Sequence, residues 1–125
     1  MAFSLGGALA VAGGAVLGAW LRWLLAMVLN SAGAALPLGT LTANLVGGLL
    51  IGLAMAWFAA HPFMAPEWRL FAVTGFLGAL TTFSTFSGES LALLQKGDFT
   101  AAAIHSAVHL FGCLAAAANG FRLMR

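Results

Sequence analysis

The run Thr74-Gly75-Phe76-Leu77-Gly78-Ala79-Leu80-Thr81-Thr82-Phe83-Ser84-Thr85-Phe86-Ser87-Gly88-Glu89 is apolar enough for a membrane helix yet composed to interrupt one. Two glycines three residues apart lead into five hydroxyl residues within positions 81–87. A helix that unwinds here has hydroxyl groups at hand to satisfy the freed backbone. The expected break lies at 75–81, near the centre of a span. Such a break presents backbone carbonyls to cations and a half-helix N-terminus to anions at mid-membrane depth. A glycine packing notch would use the same two glycines without unwinding anything.

The rest of the chain supports a bilayer setting. Of 125 residues only Arg22, Glu67, Arg69, Glu89, Lys96, Asp98, Arg122 and Arg125 carry formal charge, against roughly a quarter in soluble domains. Apolar residues make up 62% of the chain, tyrosine is absent, and the mean hydropathy is +1.04. A water-soluble globule of this size would leave too much apolar surface uncovered. The lone Cys113 excludes an intrachain disulfide framework and a thiolate cluster. A net charge of +2 spread over loops and ends is not the basic stripe that nucleic acid requires, so nucleic acid is excluded as a partner.

Charge-free stretches over 1–21, 23–66, 70–88 and 99–121 accommodate four crossings, each needing about 20 apolar residues. Asn30, Ser31, Gly33, Pro37 and Gly39 divide the second stretch, and His61-Pro62 and Pro66 end its second half. The reading is one all-α transmembrane domain over 1–125, with helices near 4–29, 39–59, 67–95 and 99–123 in up-down-up-down order. No basic residue precedes Arg22, so the first apolar stretch reads as a permanent span rather than a cleaved leader.

Arg69, Arg122 and Arg125 fall on the side of the termini, Arg22 and Lys96 on the other. That bias is nearly nil, so both insertion directions are expected, and with them an antiparallel, dual-topology homodimer. Gly14-xxx-Gly18 and Gly48-xxx-Gly52 are close-packing surfaces.

The intramembrane polar residues form stripes. Thr40, Asn44 and Gly48 share one face of the second helix, where the Asn44 amide suits either an interhelical bond or an anion. On the second half of the third helix, Thr82, Thr85 and Glu89 lie along one line and Phe83 and Phe86 along another. Phenyl rings carry a positive edge that can face an anion, although an aromatic pair at this spacing also serves plain packing. Glu89 is the only acid deep in a span, with Arg22 or His109 as expected partner. In the fourth helix His105, His109 and Cys113 repeat every four residues. Cys113 is a turn too far for chelation and no acid accompanies the pair, so a polar path or a bond to a neighbouring helix is preferred to zinc. No nucleophile–base–acid set emerges, and no enzyme is expected.

With these residues the chain resembles the Fluc (CrcB) family of bacterial fluoride channels. The resemblance runs through Gly39-Thr40-Leu41 to Asn44, Thr74-Gly75-Phe76-Leu77-Gly78 and Thr81-Thr82-Phe83-Ser84-Thr85-Phe86-Ser87-x-Glu89, with Arg22-Trp23 and His109 in support. It implies a multi-pass protein of the bacterial inner membrane, working as a dual-topology homodimer with two fluoride pores. Phe83 and Phe86 would match the phenylalanine boxes and Asn44 the pore-lining amide, with Ser84, Thr85, Thr40, Glu89 and His109 on the polar track. The carbonyls of Gly78 and Thr81 would match ligands of a structural sodium ion. Cys113 and His105 depart from the hydroxyl residues many relatives carry in the fourth helix. The competing reading is a proton-coupled small multidrug transporter with Glu89 as coupling acid, although the first helix lacks the acid such proteins rely on.

Overall fold

The computed structural model describes residues 2–34 and 36–125. Among the described residues four helical segments are long and apolar enough to cross a membrane: Leu5–Leu29, Leu38–Ala60, Pro66–Gln95 and Phe99–Met124. The first, α1 (Leu5–Leu29), opens on Ser4, whose Oγ accepts the Gly7 N–H at 3.0 Å. The second, α2 (Leu38–Ala60), follows Pro37, which has no capping side chain. Asn30 at the end of α1 supplies that cap from a distance, its Oδ1 accepting the Gly39 N–H at 2.6 Å.

The third crossing is composite. A short helix α3 (Pro66–Arg69) runs into a π-helix (Leu70–Leu77) and then a single turn, α4 (Gly78–Leu80). Two extended residues follow, Thr81 (ψ 156°) and Thr82 (φ −152°, ψ 117°), before α5 (Phe83–Gln95). The last crossing is α6 (Phe99–Met124), whose first turn is capped by Asp98 Oδ1 on the Ala101 N–H at 3.1 Å.

The interruption therefore sits at Thr81–Thr82, at the end of the expected window, and the glycines are not what unwinds. Gly75 and Gly78 stay helical, and Gly75 is buried against α1, where a Cβ would stand 2.6 Å from the Val11 carbonyl. The packing role thus holds for Gly75. Two adjacent β-branched threonines favour extended backbone, and the second caps the helix that follows.

Glycine sets the close approaches between crossings. α1 lies along the π-helix and α4, and a Cβ on Gly14 or Gly18 would strike the Phe71 or Phe76 carbonyl. α2 lies along α6, with Gly48 and Gly52 against the backbone of Cys113 and Ala117, and Gly120 against that of Leu49. The aliphatic core is small: Ala43, Leu77 and Leu80 are buried, with Leu25, Leu50, Ile51, Ala54 and Phe76 against them. Large apolar side chains such as Trp20, Trp23, Met27 and Phe111 point outward, as lipid-facing residues do.

Candidate functional site

The break is held open by an amide. Asn44 on α2 is buried, and its Oδ1 accepts the Thr82 N–H at 2.8 Å while its Nδ2 donates to the Thr82 carbonyl at 3.1 Å. A side-chain amide here stands in for a strand neighbour, satisfying the one residue that neither flanking helix can serve. Nδ2 also donates to His109 Nδ1 at 3.1 Å.

Among the carbonyls that lose their helical donors at the break are those of Gly78 and Thr81. The Thr82 N–H, one turn beyond Gly78, is given to Asn44, and the Thr85 N–H, one turn beyond Thr81, is given to Thr82 Oγ1 at 3.1 Å. Gly78 and Thr81 both line an open groove of about 810 Å³ that also meets Asn44, Phe83, Phe86, His109 and Cys113. Arg22 serves the other broken end: its Nε donates to the Ala79 carbonyl at 2.9 Å, a cation at a helix C-terminus. Glu89 is not its partner, contrary to one of the two pairings expected.

Glu89 instead joins a polar cluster between α2, α5 and α6. Thr40 Oγ1 donates to Glu89 Oε2 at 2.8 Å, and His105 Nε2 lies 3.3 Å from Glu89 Oε1. Ser90 Oγ is 3.1 Å from His105 Nδ1 and 3.3 Å from Ser106 Oγ. With Glu89 ionised and His105 neutral, the carboxylate accepts from His105 Nε2, and His105 Nδ1 then accepts from the Ser90 hydroxyl. The histidine paired with Glu89 is thus His105, not His109, and, contrary to expectation, an acid does accompany the α6 histidines: it comes from α5.

His109 is 5% exposed. Asn44 Oδ1 is committed to an N–H, so Nδ2 must donate and His109 Nδ1 must accept, which leaves the proton of a neutral ring on Nε2. That Nε2 has no hydrogen-bond partner among the described residues.

The rings form one contiguous cluster. Phe83 and Phe86 meet with centroids 5.4 Å apart and planes tilted by 55°. Phe86 then stacks on His105 at 5.2 Å and tilts against His109 at 4.7 Å. Phe83 is 79% exposed, while Phe86 is half-buried.

Asn44, Thr40, Glu89, His109 and Phe86 are therefore brought together. Ser84 and Thr85 are exposed and do not join the carboxylate cluster; Ser84 Oγ lies 3.3 Å from Thr82 Oγ1. Sequence reasoning gave no particular part to Thr82 or Ser90. Thr82 carries a detectable signal, a threonine placed just before a helical run as an N-cap. Ser90 carries none, because its neighbours come from α6.

The family model described as CrcB-like protein, Camphor Resistance (CrcB), matches residues 9–121. A protein of Cupriavidus metallidurans named fluoride-specific ion channel FluC is 58% identical over 114 residues, covering 91% of this chain and 90% of that protein. Proteins of the same name from Ralstonia pickettii and Pseudomonas syringae pv. maculicola are 56% and 54% identical, over 95% and 90% of this chain and 94% and 88% of their own lengths.

Proposed function

From the premise that the chain belongs to the CrcB-like family, we propose that it is a fluoride-selective ion channel, a passive route by which cytoplasmic fluoride leaves the cell. The observation that carries this reading is the broken third crossing, bracketed by Asn44 beside the Phe83–Phe86 pair and open to a groove. The relatives named as fluoride-specific channels supply the ion. No covalent chemistry is needed, and the protein is a transporter rather than an enzyme. Fluoride is a small anion that holds its water tightly, so a path for it needs closely spaced donors and positive ring edges in place of that water. The N-terminus of α5 begins at Phe83 and directs the positive end of its dipole at the break.

The proposed track comprises Phe83, Phe86, Asn44, Thr40, Ser84, Thr85, Glu89 and His109. Asn44 takes part while bound to Thr82, so its role is to hold the α5 N-terminus in place as well as to present its amide.

The working unit of this proposal is an antiparallel homodimer of oppositely inserted copies, in the bacterial inner membrane. The groove supports it: an open, largely apolar 810 Å³ hollow beside the broken backbone offers a surface that a second copy would cover. The structural sodium ion of the proposal fits the residues present, since the Gly78 and Thr81 carbonyls have lost their helical donors and both residues line that groove. Carbonyl oxygens suit a hard cation, and two per chain make four at a two-fold interface. Bound there, sodium would supply positive charge beside the broken backbone.

Expression in a bacterium stripped of its own fluoride export tests the function in cells. Restored growth in fluoride at mildly acidic pH is expected, and growth no better than with an empty vector would count against it. Accessibility labelling from both sides tests the topology; a single orientation for every copy removes the antiparallel arrangement.

A further inference from the structure

The cluster between α2, α5 and α6 joins two residues of the proposed track, Glu89 and His109, to His105, which lies outside that track. Glu89, His105 and His109 each offer one ligand atom, and the three atoms lie within 4.8 Å of one another. The histidines are one turn apart on α6 and the acid arrives from α5. His105 Nε2 and Glu89 Oε1 are 3.3 Å apart, about the ~3.3 Å edge of a tetrahedron with metal–ligand bonds of ~2.0–2.1 Å. His109 Nε2 is buried and lacks a hydrogen-bond partner among the described residues. The groove reaches His109 and Ser106, which provides an approach.

We propose that Glu89, His105 and His109 form a site for a divalent transition cation of the zinc type, and that its occupancy closes the fluoride path. Two imidazoles and one carboxylate suit zinc and its neighbours, and three protein ligands leave a fourth position open. The closure rests on the conduction reading; the binding does not. An anion arriving at the open position is held by a dication, and an ion held tightly at one point of a path no longer leaves it.

The protons balance without any leaving the rings. For His105 to ligate through Nε2, its proton moves to Nδ1, where the Ser90 hydroxyl turns to accept it and donates onward to Ser106. For His109 to ligate through Nε2, its proton moves to Nδ1 and faces Asn44 Nδ2, so that contact is given up while the Asn44 bracket on Thr82 remains.

The test is a calorimetric titration of the purified, chelator-treated protein with Zn²⁺, with Co²⁺ as a spectroscopic probe and fluoride efflux from vesicles measured with and without zinc. Expected are saturable binding of one zinc per chain, the intense visible bands of four-coordinate cobalt, and zinc-slowed efflux. His105→Gln and Glu89→Gln should each weaken zinc by at least about 10–100-fold, and His61→Ala, at an exposed histidine outside the cluster, should leave it unchanged. No saturable binding, binding unaffected by His105→Gln, or binding lost in His61→Ala would overturn the site. Should both cluster variants fail to fold, the wild-type cobalt spectrum decides, and the weak bands of a six-coordinate ion would overturn it. Zinc binding with efflux insensitive to zinc overturns the closure. Zinc binding in a protein whose metal-free vesicles show no fluoride flux supports the site and sinks the conduction reading instead.

Discussion

Asn44 and Thr82 are joined by two hydrogen bonds, the side-chain amide of one bracketing both backbone polar groups of the other at 2.8 and 3.1 Å. Thr82 is the second of the two extended residues that interrupt the third crossing and the N-cap of α5, so this contact fixes how α5 is aimed from the break. Asn44→Ala leaves an N–H and a carbonyl without partners in a membrane interior. It should destabilise the protein by about 1–3 kcal/mol and cut fluoride efflux at least tenfold. Asn44→Asp keeps the acceptor for the Thr82 N–H and loses the donor to the Thr82 carbonyl, so it should fall between. Thermal unfolding in detergent, read beside flux, checks both; Asn44→Ala with wild-type stability would show that the bracket holds nothing.

Phe83 and Phe86 contribute ring edges that an aliphatic side chain lacks. Phe83→Ile and Phe86→Ile, tested singly, should abolish fluoride flux while leaving the elution position of the assembled protein unchanged. Normal flux in both variants would remove the ring-edge element of the proposed track.

The four apolar helices were readable from the lengths of the charge-free stretches, since a bilayer demands about 20 residues per crossing and little else at that scale. The position of the break was harder. Gly75-x-x-Gly78 signals both unwinding and close packing, and only the presence of Val11 and Gly14 opposite Gly75 decides for packing. Polar residues inside spans announced themselves by their rarity, which is why Asn44, Glu89 and His109 were named at all. Their partners were not readable, because helical spacing relates residues on one helix and the contacts Thr40–Glu89, Asn44–His109 and His105–Glu89 each join two. The α6 sequence shows no acid beside its histidines because the acid, Glu89, lies on α5.

Glycine contacts between α2 and α6 leave no room for a methyl group. A Cβ on Gly52 would overlap the Ala117 carbonyl and stand 2.8 Å from the Phe121 nitrogen, whereas one on Gly88 meets nothing within 4 Å. Gly52→Ala should lower the unfolding temperature and the yield of folded protein despite its better helix propensity. Gly88→Ala should be neutral or raise stability by up to about 1 kcal/mol. Equal behaviour of the two would show that α2 and α6 are not packed backbone to backbone.

Sodium, if held by the Gly78 and Thr81 carbonyls of two chains, should strengthen the dimer. Exchanging it for a bulky organic cation during purification is expected to raise the monomer fraction and reduce fluoride flux, with recovery when sodium returns. A monomer fraction and a flux indifferent to sodium would remove the ion from the proposal.

The central claim is selective passage of fluoride, and the most direct measurement is anion efflux from liposomes containing the purified protein. Fluoride and chloride are followed by ion-selective electrodes while a potassium ionophore holds the voltage. Rapid loss of fluoride with chloride retained is the predicted result. Retention of both anions by vesicles that contain folded, dimeric protein would contradict it.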